Sequence, residues 1–315
     1  MIRIISIYRV FPPHKDDPIV QRQIVSINPI VESQINSMEE KDRLVFFHLK
    51  IYGGGINYLW AFFRLLFLAI KVRPQIIHGH YSYCGFLAGI IPFTKSICSL
   101  MGSDLLVVNP IMKKVILFFA QKAWTKVIVK SEQMQKICPN AMIIPNGVNF
   151  DIFKPLDRTI ACEKVGFDIA KFHVISVVNK ESAVKNLQLA KDSVALLSDI
   201  SCEYHLVSNL GHEELANNYN AADVLLLTSF HEGSPNVVKE ALACNCPVVS
   251  TDVGDVKKTI ENIDNCYLAQ RDAYDFADKI RKIYLSKQRT NSREKITHLR
   301  SDVIAKKLIE IYTSI

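Results

Sequence analysis

Short runs of β-branched and apolar residues alternate along the chain with longer stretches whose apolar positions recur every three to four residues. Ile2–Tyr8, Arg43–Leu49, Gln75–His78, Ser96–Leu100, Lys126–Lys130 and Met142–Ile144 predict strands, and Val20–Ile35, Leu59–Val72, Tyr83–Ile91 and Ile111–Ala123 predict helices between them. Beyond residue 150 the alternation resumes. Strands are expected at His173–Val178, Glu203–Val207, Asp223–Leu227 and Pro247–Ser250, and helices at Asn186–Leu197, His212–Tyr219, Pro235–Ala243 and Asp272–Leu285. Strands alternating with helices imply parallel sheets covered on both faces, so each half should be a doubly wound α/β domain. The join is expected in the stretch Ile144–Pro155, where two prolines flank an Asn146-Gly147 turn. The boundaries predicted are 1–150 and 151–299, with a final helix over about 300–315 that packs back on the first domain through Val303, Leu308, Ile309 and Tyr312. A ligand is expected in the cleft between the two domains, at the C-terminal ends of the strands.

Composition narrows this picture. At 315 residues and 49% hydrophobic, the chain can bury two cores, which excludes disorder and a disulfide-stapled miniature. The eight cysteines show neither C-x-x-C nor zinc-finger spacing and read as reduced, mostly buried thiols. Residues 1–150 hold 17 Lys and Arg against 8 Asp and Glu, whereas residues 151–315 hold 21 against 23. The basic excess therefore lies wholly in the first half, which is expected to face something anionic. It lacks an Arg-rich run, which argues against nucleic acid. The run Tyr58–Val72 is 15 residues long and broken by Arg64 and Lys71, too short for a span of about 20 residues. It reads as an amphipathic helix, packed in the core or lying on a bilayer surface. The apolar N-terminus ends at Arg9 without a cleavage site and reads as a first strand, and the localisation expected is cytoplasmic, with peripheral contact at the inner membrane face.

The most informative stretch runs from Ser229 to Ala243, after the strand that ends at Leu227. Ser234-Pro235 predicts an N-cap followed by Pro at the first helical position, and amides at that helix start can bind phosphate or sugar hydroxyls. Glu232 falls in the loop before the helix and Glu240 a turn and a half inside it. Two carboxylates so placed can accept hydrogen bonds from two hydroxyl-bearing parts of one elongated ligand. The plainer alternative makes Glu232 a loop charge favourable to the helix dipole and Glu240 a solvated surface residue.

The pair Glu232 and Glu240, within the run His231–Asp255 and preceded by Ala221-Ala222-Asp223-Val224, resembles the signature of the retaining, GT-B-fold glycosyltransferases of family 4. The resemblance extends to Ile144–Asn149, Ser131, Gly102-Ser103-Asp104 and Ile77–Tyr81, densely in the second half and loosely in the first. It implies a GT-B fold, two Rossmann-like domains with an interdomain cleft, and transfer of a sugar from a UDP- or GDP-linked donor to a glycan or lipid-linked acceptor in surface polysaccharide biosynthesis. The resemblance assigns Glu232 to the hydroxyls of the donor sugar and Glu240 to the ribose. Gly233, Ser234, Pro235, Asn236 and Val237 would bind sugar and diphosphate through their backbone, and Lys180 and Lys185 would neutralise the diphosphate. The first of these two lysines stands where the family usually has Arg, which keeps the charge without the bidentate fork. His80 and Asp104 would line the acceptor side.

Three departures accompany the likeness. Met101 stands where family members commonly carry His, Phe11–Gln23 lacks the glycine-rich turn after the first strand, and the segment between Leu206 and Ala221 is compressed to one short helix. The chain has no Asp-x-Asp motif, so no resident metal or cofactor is expected, and charge on the leaving diphosphate falls to lysines and a helix N-terminus. Two other readings stay open: a non-catalytic relative that binds a glycan or nucleotide-sugar, and a nucleotide-sugar epimerase on the same fold.

Overall fold

The computed structural model describes residues 2–10, 38, 44–53, 55–178 and 182–315. The expected helix Val20–Ile35 and the whole of Phe11–Gln23 lie outside them, as does Lys180. The chain divides into two compact units, Met1–Gly147 with Ser301–Ile315, and Val148–Arg300.

Among the described residues the first unit holds six parallel strands, β1 (Ile2–Val10), β2 (Leu44–Tyr52), β3 (Ile76–His80), β4 (Lys95–Ser99), β5 (Lys126–Val129) and β6 (Met142–Ile143), in the order β2-β1-β3-β4-β5-β6. Side chains alternate faces along a strand, and β1 shows how both faces are filled. Ile4 and Tyr8 share a core with Ile304, Leu308, Ile311 and Tyr312 of the helix Ser301–Thr313. Ile5 and Ile7 pack with Ala61 and Leu65 of the helix Ile56–Val72 and with Cys84 and Leu87 of the helix Ser82–Gly89. The helix Ile56–Val72 buries only Ala61, Leu65 and Val72, whereas Ile56, Leu59, Trp60, Phe63, Phe67 and Ile70 are exposed. Core packing thus accounts for a narrow stripe of it. Among the described residues no helix is long and apolar enough to cross a membrane.

The second unit holds β7 (Phe172–Val177), β8 (Cys202–Val207), β9 (Val224–Leu227), β10 (Val248–Ser250) and β11 (Cys266–Leu268), parallel and ordered β11-β10-β9-β7-β8. Ile175, Val177, Leu225, Leu227 and Val248 fill one face, and Val174, Val224, Leu226 and Val249 the other. The chain moves from β7 outward to β8, then returns to β7's other side for β9. The loops leaving the C-terminal ends of β7 and β9 therefore flank the switch point of the sheet, where ligands bind in open α/β folds. Sequence patterning missed β11, the helix Arg158–Val165 and the helix Val256–Ile260.

Candidate functional site

Both loops at the switch point of the second unit are stitched to each other before any ligand is considered. The Phe230 amide donates to Val184 O at 2.8 Å, and Thr228 Oγ1 donates to Lys185 O at 2.9 Å. This backbone lacing sets Lys185, beyond β7, beside Glu232, beyond β9. Lys185 Nζ donates to Glu232 Oε1 at 2.7 Å, and Ser229 Oγ donates to the same oxygen at 2.8 Å. Both charged side chains are only partly covered, so the pair is preorganised and still reachable from solvent. Lys185 also follows Ser182 through a short 3-10 turn that ends at Asn186 with φ of 48°, a left-handed conformation that Asn tolerates better than most residues.

The helix after β9 begins at Asn236, with Pro235 at the N-cap position and no side-chain cap. The expected Ser234 cap is therefore corrected. Its hydroxyl is claimed elsewhere: Ser234 Oγ donates to Asp255 Oδ2 at 2.7 Å and accepts a hydrogen bond from Lys239 Nζ. Lys239 Nζ lies 3.0 Å from Asp255 Oδ2, and the lysine is buried. Burial lowers the lysine's pKa, against the opposing pull of Asp255. This Ser–Lys–Asp cluster, with Ser234 and Lys239 buried and Asp255 half-buried, ties the Gly233–Pro235 turn to the loop after β10. Gly254 completes the junction: its φ is 59°, and a Cβ there would meet Gly233 O at 2.7 Å. Sequence reasoning missed Lys239 and Asp255; the available signal was a lysine at a helix position flanked by residues of the core face.

Glu240 is 9% exposed, so the reading of it as a solvated surface residue does not hold. Tyr219 OH donates to its Oε2 at 3.0 Å. Burial pushes the Glu240 carboxyl up to about 7, with Tyr219 and Lys239 pulling the other way. Gly233, Ser234 and Pro235 are buried, and Asn236 and Val237 half-buried. Glu232, Lys185, Glu240 and the Gly233–Val237 turn thus all belong to the second unit and to the loops and helix starts at one end of its sheet.

In the first unit His80 and Asp104 are both buried. Asp104 Oδ1 accepts from the amides of Met101 and Gly102 at 2.8 and 2.9 Å, and Oδ2 accepts from the Ser82 amide at 2.9 Å. Its carboxylate thus joins the loop after β4 to the start of the helix after β3. Burial raises its pKa to about 6 against those three amides. His80 stacks on His78 with ring centroids 4.1 Å apart. His78 itself bonds Tyr312 OH at 2.6 Å and Ser99 Oγ at 2.8 Å. Burial, with Lys130 nearby, lowers the pKa of His78 to about 3 and that of His80 well below its ordinary value, which favours the uncharged form of both rings.

Residues 167–286 match the model of the family described as glycosyl transferases group 1. TuaC of Bacillus subtilis, a glycosyltransferase named for teichuronic acid biosynthesis, is 24% identical over 239 residues, which cover 66% of this chain and 60% of TuaC. A D-inositol 3-phosphate glycosyltransferase of Geodermatophilus obscurus is 28% identical over 180 residues, 45% of this chain and 40% of that protein. The chain thus matches less than two thirds of the length of either relative. Among solved structures, Anabaena HepE in complex with UDP-glucose superposes with a TM-score of 0.79 at 14% identity, covering the whole of both chains. Sucrose-phosphate synthase of Thermosynechococcus elongatus superposes at 0.78 and 16% identity, covering 100% of this chain and 99% of the other. The chain therefore has the GT-B fold, two parallel-sheet Rossmann-like units, and its segment 167–286 carries the sequence pattern of the glycosyl transferases group 1.

Proposed function

We propose that the protein is a retaining glycosyltransferase that moves a sugar from a UDP- or GDP-linked donor to a glycan or lipid-linked acceptor in surface polysaccharide biosynthesis. The observation that carries this reading is the Lys185–Glu232 pair at 2.7 Å, laced across the switch point of the second sheet, with Glu240 buried on the adjoining helix. An ammonium held there can exchange its carboxylate partner for a diphosphate oxygen. Glu232, released from Lys185 but still bonded by Ser229, then accepts hydrogen bonds from hydroxyls of the donor sugar. Glu240 keeps Tyr219 on Oε2 and offers Oε1 to the ribose. Amides at the Gly233–Val237 turn face the same ligand, and Lys180 is assigned to the diphosphate by resemblance alone.

Charge that builds on the leaving diphosphate is met by Lys185, Lys180 and the helix start, without reorganisation of the turn that the buried Lys239 and the half-buried Asp255 hold. Departure of the diphosphate and attack of the acceptor hydroxyl take place on the same sugar face, so the anomeric configuration is kept. The first unit is assigned to the acceptor, with Asp104 and the His78–His80 stack shaping the loops around it. HepE was crystallised with UDP-glucose, which supports the donor class. The exposed Trp60, Phe63 and Phe67 beside Arg64 and Lys71 support the further proposal of an acceptor presented at an anionic membrane face, with the protein cytoplasmic and peripheral at the inner surface.

The test is turnover of UDP- and GDP-sugars, with thermal shift as the binding readout. Glu232→Ala and Lys185→Ala are each expected to lower kcat about 10²–10³-fold, with the fold retained by circular dichroism. Full activity in both variants, or no response of the wild type to any nucleotide, would overturn the reading.

A further inference from the structure

A second cluster lies at the opposite end of the same sheet. His173 is the second residue of β7, and Glu203 and His205 are the second and fourth of β8, the edge strand. In the parallel register His173 faces Glu203 and Ile175 faces His205. The i, i+2 spacing sends Glu203 and His205 to one face of the strand. Their donor atoms converge: His173 Nδ1 is 3.0 Å from His205 Nε2, and Glu203 Oε2 is 3.8 Å from the first and 3.9 Å from the second. A triangle with those sides has its centre about 2.1 Å from every corner, which is the length of a zinc–imidazole or zinc–carboxylate bond.

The surrounding groups fix the same geometry. Asp168 O lies 2.7 Å from His173 Nε2. A carbonyl can only accept, so Nε2 carries the proton and, in the neutral ring, Nδ1 presents its lone pair to the centre. Such an orienting hydrogen bond on the far nitrogen is what metal-ligating histidines commonly have. Phe167 stacks on the His205 ring at 3.8 Å between centroids, which holds its plane. Lys171 Nζ donates to the other carboxylate oxygen, Glu203 Oε1. Oε2 is thereby left for the centre, and His205 and Glu203 are partly exposed, which gives an ion a way in.

We propose that His173, Glu203 and His205 bind one divalent transition-metal ion of the zinc class. Two imidazoles and one carboxylate suit zinc, with water as a fourth ligand, better than they suit magnesium or calcium, which take oxygen ligands. The site lies at the N-terminal ends of β7 and β8, whereas Lys185 and Glu232 follow the C-terminal ends of β7 and β9, so the ion takes no part in sugar transfer. It pins the edge strand β8 to β7. Without it, His205 Nε2–H donates to His173 Nδ1; with it, the His205 proton moves to Nδ1 and both bare nitrogens face the ion.

The experiment is titration of the full chain with zinc chloride, read by calorimetry and by the shift in melting temperature. Cobalt(II) chloride serves as a spectroscopic probe, because the eight free cysteines are rival ligands. The expected result is one ion per chain, a raised melting temperature, and cobalt bands without thiolate charge transfer. Glu203→Gln and His205→Gln should each weaken zinc binding by about tenfold or more while melting like the wild type without metal. No zinc uptake at micromolar concentrations, undiminished affinity in both variants, or a cobalt spectrum showing thiolate ligation would overturn the proposal.

Discussion

Glu240 carries its carboxyl at about 7 against an ordinary 4.5, and burial is the main cause. Between those two values the unfolded chain has released this proton while the folded chain keeps it. Folding therefore loses stability as pH rises from about 4.5 to about 7 through this group, and the loss is complete above that. Glu240→Gln should remove the loss. Its stability relative to wild type, from urea unfolding, is expected to rise between pH 5 and pH 8; an unchanged difference would refute the assignment. The spacing of Glu232 and Glu240 was legible in the sequence because both flank a helix start marked by Ser234-Pro235. What the spacing could not show was burial. Whether a helical glutamate faces water or Tyr219 depends on a residue 21 positions away, and the same long-range packing turned the Ser234 hydroxyl from the helix end to Lys239 and Asp255. Asp104 was visible as a polar residue after a strand, but nothing local announced that three amides would occupy it.

Strands were legible where β-branched residues cluster, as in β1 and β7, and not in β11, Cys266-Tyr267-Leu268, which has none and is ordered by its pairing with β10. Among the helices, Ile56–Val72 shows where pattern reading stops. Its composition predicts an amphipathic element, but only packing shows that Ala61, Leu65 and Val72 suffice for the core and that Trp60 at 64% and Phe67 at 69% exposure do not contribute to it. Leaving that surface in water costs roughly 25 cal/mol per Å² relative to an apolar environment. The Trp60→Ser, Phe67→Ser double variant should therefore keep its melting temperature while losing co-sedimentation with phosphatidylglycerol vesicles. Wild-type binding should also weaken as salt is raised, because Arg64 and Lys71 lie on the same helix. Wild-type protein that ignores both lipid charge and salt would remove the membrane from the proposed function.

The whole molecule is built from a chain that leaves its first unit at Gly147 and re-enters it at Ser301. Gly147 is fitted to this return, since a Cβ there would meet Ser301 Cα at 2.8 Å. The re-entering helix is fastened by Tyr312, whose hydroxyl meets the buried His78 at 2.6 Å. Tyr312→Phe leaves that imidazole nitrogen without its partner, and a loss of about 1–3 kcal/mol is expected in urea unfolding; an unchanged midpoint and slope would show the bond to be neutral. The interrupted first unit also sets an order of events during synthesis. Residues 148–300 form an uninterrupted unit and can fold as soon as they have emerged from the ribosome. The amino-terminal sheet is made earlier but lacks the helix that covers Ile4, Ile76 and Ile97. At about 5–20 residues per second, that apolar face waits roughly 10–30 s for residues 301–315. The half translated first is thus the half completed last, and it is the nascent first unit, not the second, whose yield should depend on chaperones that shelter exposed apolar surface.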